Sequence, residues 1–394
     1  MRQLENWKSQ AGACCWGARV PRTFLPYNAD VKSWDAIIIG GGIIGLSLAL
    51  ELRKRALSVL VIERGEPGRE ASHAAAGMLV GDGEELPAPL KPLAAESARM
   101  YPNFVHELED ESGLKIDFRE QGTILISDDG HFPASARPVN PEHLHSMEPA
   151  LAISGARGRT PVQNRKDICA AYLPERSVDP RALMTAAVKA VRHREIDISS
   201  GSEVLAVLIE SSRVTGVKTD KTSYSSAIVV NCAGAWASQF SPQEFTVRPV
   251  KGQMLAVVNG PPLQYVVRAE HVYLVPRSNG RIVIGSTLEE AGFDKRIDVD
   301  AIEKLFHAAV ELVPALAQAR QHEVWAGLRP GTPDGLPIMG ETSLPGYYVA
   351  TGHYRDGILL APITAQALSD LIEHGACRYD LTAFAPSRFE TNRL

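Results

Sequence analysis

The stretch "WDAIIIGGGIIGLSLALELRKRALSVLVIERG", Trp34 to Gly65, decides the fold. Ala36 to Ile39 is an apolar block with the length of a strand buried on both faces. It runs into Gly40, Gly42 and Gly45, spaced G-x-G-x-x-G, and into a helix-period segment that starts at Ile43 and Ile44. In this spacing Gly40 permits the sharp turn, Gly42 lets backbone approach a pyrophosphate, and Gly45 lets the helix pack on the strand. The helix N-terminus then turns its N–H groups and the positive end of its dipole toward the phosphates. A second apolar strand, Val59 to Ile62, ends in Glu63, 18 positions after Gly45. A carboxylate there accepts hydrogen bonds from the adenosine ribose, and it disfavours a 2′-phosphate because two anions would meet. The unit predicts dinucleotide binding and leaves FAD and NAD both open.

At 394 residues the chain is longer than one hydrophobic core usually supports, which predicts two domains. A formal charge of −5 gives no electrostatic reason to expect nucleic acid as a partner. No run of 18 or more uninterrupted apolar residues suggests a spanning helix, so stable membrane insertion is not expected and a cytoplasmic enzyme is the default. The cysteines Cys14, Cys15, Cys169, Cys232 and Cys377 are odd in number and form no C-x-x-C or Cys/His pattern. They read as reduced thiols, with no metal site. Residues 1–33 lack the apolar core of a secretory signal and read as a disordered extension, or as a translation start placed too early. The first strand is expected to begin at Trp34 or Asp35.

Directly after Glu63 and Arg64, "GEPGREASHAAAGML" (Gly65 to Leu79) offers small residues that allow close backbone approach to something flat and large. Far downstream, "AIVVNCAGAWA" (Ala227 to Ala237) reads as a buried strand, a turn and a helix start. "WAGLRPGTPDGLPIMG" (Trp325 to Gly340) then precedes "GYYVATGHYRDGILLAP" (Gly346 to Pro362). Together with the glycine-rich unit, these motifs resemble the D-amino-acid oxidase family of FAD-dependent oxidoreductases, and within it the glycine oxidases of thiamine biosynthesis. The resemblance spans Asp35 to Ile372, and it favours non-covalent FAD over NAD. The cysteine that carries the flavin in sarcosine oxidases has no counterpart between Leu328 and Met339.

The resemblance implies an α/β fold: a Rossmann-type FAD-binding domain with a discontinuous, mostly antiparallel substrate domain. The ranges expected are 34–90, 172–243 and 321–390 for the first, and 91–171 and 244–320 for the second. Periodicity places a helix at about Pro92 to Glu111 and another after Asp179 and Pro180, which suit an N-cap and a first turn. "GTILIS", "VKGQMLAVV", "HVYLVPR" and "GRIVIGST" read as hairpin-like strands, foreign to a doubly wound parallel sheet.

For the site, the resemblance implies that Arg329 grips the substrate carboxylate, which a planar guanidinium does with two parallel hydrogen bonds. It implies that Tyr273 donates to the same carboxylate, that Arg355 reaches the pocket, and that His271 borders it. His271 and Tyr273 are expected on one strand face, because alternate residues point the same way. Cofactor contacts are implied at Gly40, Gly42, Ile43, Ile44, Gly45, Glu63, Arg64, Ser72, Ala76, Gly77, Met78, Val204 and Gly234. "GHYRDGIL" adds Gly352, His353, Tyr354, Asp356, Gly357, Ile358 and Leu359. The helix beginning there would aim its positive end at the pyrimidine side of the flavin. Asp356 stands where Asn is commoner, and capping that helix is the plain reading. Leu288 replaces a methionine that often lines the pocket.

The activity implied is oxidative deamination of glycine or another small amino acid (sarcosine, a small D-amino acid). It would yield an imine or 2-oxo acid and hydrogen peroxide, for use in thiazole synthesis. Dioxygen and the amino acid are then the partners, and homo-oligomerisation is compatible with the sequence. The rival reading is a D-amino-acid dehydrogenase that passes electrons to a quinone. Its weakness is Arg355, which such enzymes tend to lack, and the want of a basic amphipathic docking helix.

Overall fold

Ala36–Ile39 is a fully buried strand, paired in parallel with Val59–Glu63 on one side and Val229–Asn231 on the other. Asp197–Ser200 and Tyr347–Thr351 extend the parallel sheet, and Ile338–Glu341 closes one edge antiparallel. Alternation along these strands sorts their side chains into two cores. Ile38 and Val61 pack with helices Ile43–Lys54, Lys91–Ser112, Pro180–His193 and Gly357–His374, whereas Ile37, Ile39, Leu60 and Ile62 pack toward strands Val204–Glu210 and Arg213–Thr219. The computed structural model describes residues 33–81, 83, 86–152 and 169–389. The extension expected at residues 1–33 therefore lies, apart from Ser33, outside the described residues, as do Cys14 and Cys15. The described residues from Ser33 onward belong to one compact unit.

A second, eight-stranded sheet runs in the order Arg320–Gly331, Arg248–Val258, Ile282–Gly285, Tyr273–Pro276, Val266–Arg268, Thr123–Ser127, Cys169–Leu173, Arg137–Val139. Its neighbours are antiparallel except for Val266–Arg268 with Thr123–Ser127. A separate core fills one face of it with Leu255, Val257, Leu274 and Ile284 against helix Val299–Leu312. The two-domain division by residue range remains a proposal. Two elements sit across its borders: strand Arg320–Gly331 pairs in the eight-stranded sheet, and helix Lys91–Ser112 packs in the core of the parallel one.

That helix matters for the site. Pro362 lies inside helix Gly357–His374 and has no N–H, so the carbonyl of Ile358, one turn earlier, loses its usual donor. The Tyr101 hydroxyl supplies one at 3.0 Å, and the Ser97 hydroxyl donates to the Leu359 carbonyl at 2.6 Å. Helix Lys91–Ser112 thereby fixes the first turn of helix Gly357–His374. Asp179 caps helix Pro180–His193 as expected, its carboxylate accepting from the Arg181 N–H at 2.9 Å.

Candidate active site

The glycine-rich turn is built as its spacing requires. Gly40 adopts φ +110°, and a Cβ there would lie 2.5 Å from the Cys232 carbonyl oxygen. A Cβ on Gly45 would press onto the Gly40 carbonyl itself. The N–H of Ile43 donates to the Ser72 hydroxyl at 3.0 Å, so the small-residue loop closes over the helix start. The other first-turn N–H groups are those that an α-helix leaves without intrahelical acceptors. Glu63 accepts from the N–H of Gly41 at 2.8 Å with one carboxylate oxygen and from that of Gly65 at 2.9 Å with the other. The turn thus fixes the acid, and the remaining lone pairs suit two ribose hydroxyls. Arg64 lies 3.7 Å over the Trp236 ring and pairs with Glu70 at 3.2 Å.

From Glu63 a cavity of about 1330 Å³ passes Gly40, Gly42 and Gly234, reaches Gly357 and Ile358, and ends among Arg329, Tyr273 and Arg355. Ala76, Gly77, Met78 and Val204 line its length. Its volume, its glycine cradle and the two helix N-termini that line it fit a dinucleotide with a large ring system.

A family model described as FAD dependent oxidoreductase matches residues 35–371. The chain belongs to that family. Glycine oxidase of Geobacillus kaustophilus is 34% identical to this oxidoreductase over 377 residues, covering 90% of this chain and 97% of the relative. The bifunctional protein ThiO/ThiG of Synechocystis sp. is 34% identical over 371 residues, 91% of this chain, which spans only 54% of that relative's length. The crystal structure of the Geobacillus kaustophilus glycine oxidase superposes with a TM-score of 0.82 at 32% identity, over 90% of this chain and 99% of that one. FAD is accordingly the cofactor of this oxidoreductase, and the cavity is where it fits.

At the far end of the cavity, strand Arg320–Gly331 delivers Arg329. Its guanidinium donates to the carbonyls of Lys251 and Thr287, each at 3.3 Å, and to the Ser286 hydroxyl at 2.7 Å. Among the described residues it forms no ion pair. Burial holds its pKa below the ordinary arginine value, and the neighbouring Arg355 cation acts in the same direction, opposed by the hydroxyls of Tyr273 and Tyr354. A half-buried guanidinium held by neutral acceptors and lining a cavity has the chemistry to take an anionic ligand. The half-buried Tyr273 sits beside it, its hydroxyl 3.7 Å from the Met254 sulfur.

Several expectations need correction. His271 does not share a strand face with Tyr273. The strand begins at Tyr273, and residues 269–272 form a hairpin turn closed by the Ala269 N–H to the Val272 carbonyl at 2.9 Å. His271 projects from that turn, its side chain 80% exposed and 3.5 Å from Glu270, at the rim of the cavity. Asp356 occupies the N-cap position of helix Gly357–His374, but its side chain makes no capping hydrogen bond. Its backbone N–H donates to the His353 carbonyl instead, at 2.9 Å. Arg355 is exposed at the cavity mouth, and Leu288, 66% exposed, stands at the rim. Sequence reasoning missed Ser286 and Thr287 as acceptors for Arg329, and Trp236 as the platform under Arg64. No local pattern marks them, since each acts through a partner distant in sequence.

"GHYRDGIL" carries strain at Tyr354, which adopts φ +47° while its N–H donates to the Pro330 carbonyl at 3.0 Å. A side chain in this region costs about 1–3 kcal/mol, and such outliers gather where a ligand is clamped. His353 is buried against Thr364, Nε2 to Oγ1 3.1 Å, and burial pushes its pKa down from 6.5 to about 3. The neutral ring is thus the folded form. As pH falls below 6.5 the unfolded chain takes up the proton first, so stability is full above that value and is lost toward about 3. The slope is about 1.4 kcal/mol per pH unit for one such group. His73 shifts the same way through burial and Arg181, from the half-buried Ala71–Ala74 turn. In urea titrations between about pH 5 and 6.5, above the carboxylate range, His353→Asn should flatten most of the fall in midpoint. An unchanged profile would place the acid sensitivity elsewhere.

Proposed function

We propose that this oxidoreductase oxidises glycine or a similarly small amino acid at its α-carbon, with dioxygen as electron acceptor. The products are an imine that hydrolyses to a 2-oxo acid and ammonia, and hydrogen peroxide. The observation that carries the reading is Arg329: a half-buried guanidinium without an ionic partner among the described residues, beside Tyr273, at the end of the cofactor cavity. The likeness to glycine oxidase over nearly the whole of both chains supports it.

Bound FAD supplies the two-electron acceptor. The work of the polypeptide is to bind and orient. Arg329 and Tyr273 hold the carboxylate at two points, which fixes the Cα–H bond relative to the ring and turns an encounter into a positioned reaction. Arg355 at the mouth adds positive potential for an incoming carboxylate. The fixed first turn of helix Gly357–His374 brings a positive dipole end to the cavity, where it would favour negative charge on bound FAD. We further read the enzyme as cytoplasmic, with its product available for thiazole assembly. The likeness to ThiO/ThiG supports that use, and among the described residues no helix is long and apolar enough to cross a membrane.

The test is anaerobic mixing with glycine, sarcosine, D-alanine and D-proline, followed by air. Bleaching of the flavin by glycine or sarcosine and stoichiometric peroxide on aeration are expected. Bleaching that air does not reverse, but a quinone does, would establish the dehydrogenase reading. Acid precipitation should release all the flavin as intact FAD; colour retained in the pellet would contradict non-covalent binding.

A further inference from the structure

Arg329 and Tyr273 lie on strands separated by two others: Arg320–Gly331, then Arg248–Val258, then Ile282–Gly285, then Tyr273–Pro276. At about 4.8 Å per strand their backbones are roughly 14 Å apart. One small carboxylate can be held by both only if each side chain lies down across the sheet toward the other.

The two intervening strands carry glycine where this happens. Gly252 is paired with Gly327, and a Cβ on it would come within 2.5 Å of the guanidinium carbon of Arg329. Gly285 is paired with both Met254 and Tyr273, and a Cβ on it would lie 2.5 Å from the Tyr273 hydroxyl oxygen and 2.6 Å from the ring carbon that bears it. Real Cβ contacts do not come this close, so the side chain or the strand would have to move. Pairing puts Gly252, Met254, Gly285, Tyr273 and Arg329 on one sheet face, and all five line the cavity. Neither glycine belongs to the dinucleotide turn.

We propose that Gly252 and Gly285 are positioning residues for substrate, forming a side-chain-free trough in which Arg329 and Tyr273 converge on one carboxylate. The inference rests on the carboxylate-clamp reading above. It adds that the clamp's geometry is set by two positions that never touch the substrate. A guanidinium at the end of a flexible chain moves more cheaply than a paired strand, so Gly252→Ala should keep the fold and lose the aim of Arg329.

The experiment measures acetate affinity from the perturbation of the FAD absorbance spectrum, since acetate has a carboxylate and no amine to oxidise. KM and kcat for glycine are measured alongside. Gly252→Ala is expected to retain FAD, to weaken acetate binding at least tenfold, and to raise KM much more than it lowers kcat. In an Arg329→Ala background, adding Gly252→Ala should change acetate affinity less than about twofold, because the displaced group is already gone. Gly285→Ala should behave likewise, with its effect absorbed by Tyr273→Ala. Wild-type acetate affinity in Gly252→Ala, or an undiminished effect in the Arg329→Ala background, overturns the proposal. If Gly252→Ala is insoluble, the double variant decides: soluble protein confirms that the guanidinium occupies the trough, and insoluble protein shows that Gly252 serves strand packing alone. Normal acetate binding in Arg329→Ala itself would instead remove the clamp reading, an outcome distinct from failure of the trough.

Discussion

Arg329→Ala should lower apparent substrate affinity by about 2–5 kcal/mol, roughly 30- to 4,000-fold, while FAD stays bound. The magnitude follows from where the guanidinium sits. Its donors face the carbonyls of Lys251 and Thr287 and the Ser286 hydroxyl, all neutral, so a substrate carboxylate is its first full counter-charge among the described residues. Burial already depresses its pKa, and the Arg355 cation lies nearby, so the resting site is electrostatically incomplete. Removing the cation leaves a carboxylate to be desolvated against Tyr273 alone. Arg329→Lys should recover only part of the loss, because an ammonium is a point charge and cannot reproduce a planar fork. Arg355→Ala should cost less, since that side chain is exposed and its field is screened. Stopped-flow flavin reduction over a range of glycine concentrations separates these cases. Wild-type saturation in Arg329→Ala would make this arginine structural and would remove the main support for an amino-acid substrate.

The parallel half of the fold was legible because its signals are local. One strand, one glycine-spaced turn and one acid at Glu63 lie within 28 residues, and the structure joins them through the Gly41 N–H. Asp179 and Pro180 likewise announce a helix that Asp179 caps. The place of Arg329 on the cavity wall was legible because an arginine among Leu328, Pro330 and Gly331 has little reason to be there except charge. What failed was turn geometry. The alternation His271–Tyr273 looks like strand, but a hairpin turn of residues 269–272 uses up His271 before the ladder begins. Asp356 looks like a cap, and its side chain does not cap. The acceptors that seat Arg329 were invisible for another reason: Lys251 lies on the neighbouring strand, and Ser286 and Thr287 follow strand Ile282–Gly285 one strand further, so they meet Arg329 only in the assembled sheet, which no short pattern encodes. Glycines inside "VKGQMLAVV" and "GRIVIGST" were local hints of close approach by another group.

Gly42→Leu should yield folded protein that purifies almost without FAD, to roughly a tenth of full occupancy or less if the pyrophosphate is excluded. Gly42 has φ −76° and ψ 178°, ordinary extended backbone open to any residue, so the substitution carries no backbone strain. A Cβ there meets only the Ser72 hydroxyl, at 3.3 Å, which can give by a few tenths of an ångström. The atoms beyond Cβ are the ones that matter, because they fill the cavity before the N-terminus of helix Ile43–Lys54, where phosphate must approach the backbone N–H groups. Gly45 makes the contrast. Its Cβ would strike the Gly40 carbonyl inside the turn, so Gly45→Leu should damage folding itself. The Gly42 variant should also melt at the temperature of flavin-stripped wild type, since both lack the stabilisation that a bound ligand adds by mass action. Far-ultraviolet circular dichroism, flavin absorbance and thermal melts of the two variants check this. Full flavin content in Gly42→Leu would mean that the cofactor does not lie against this turn.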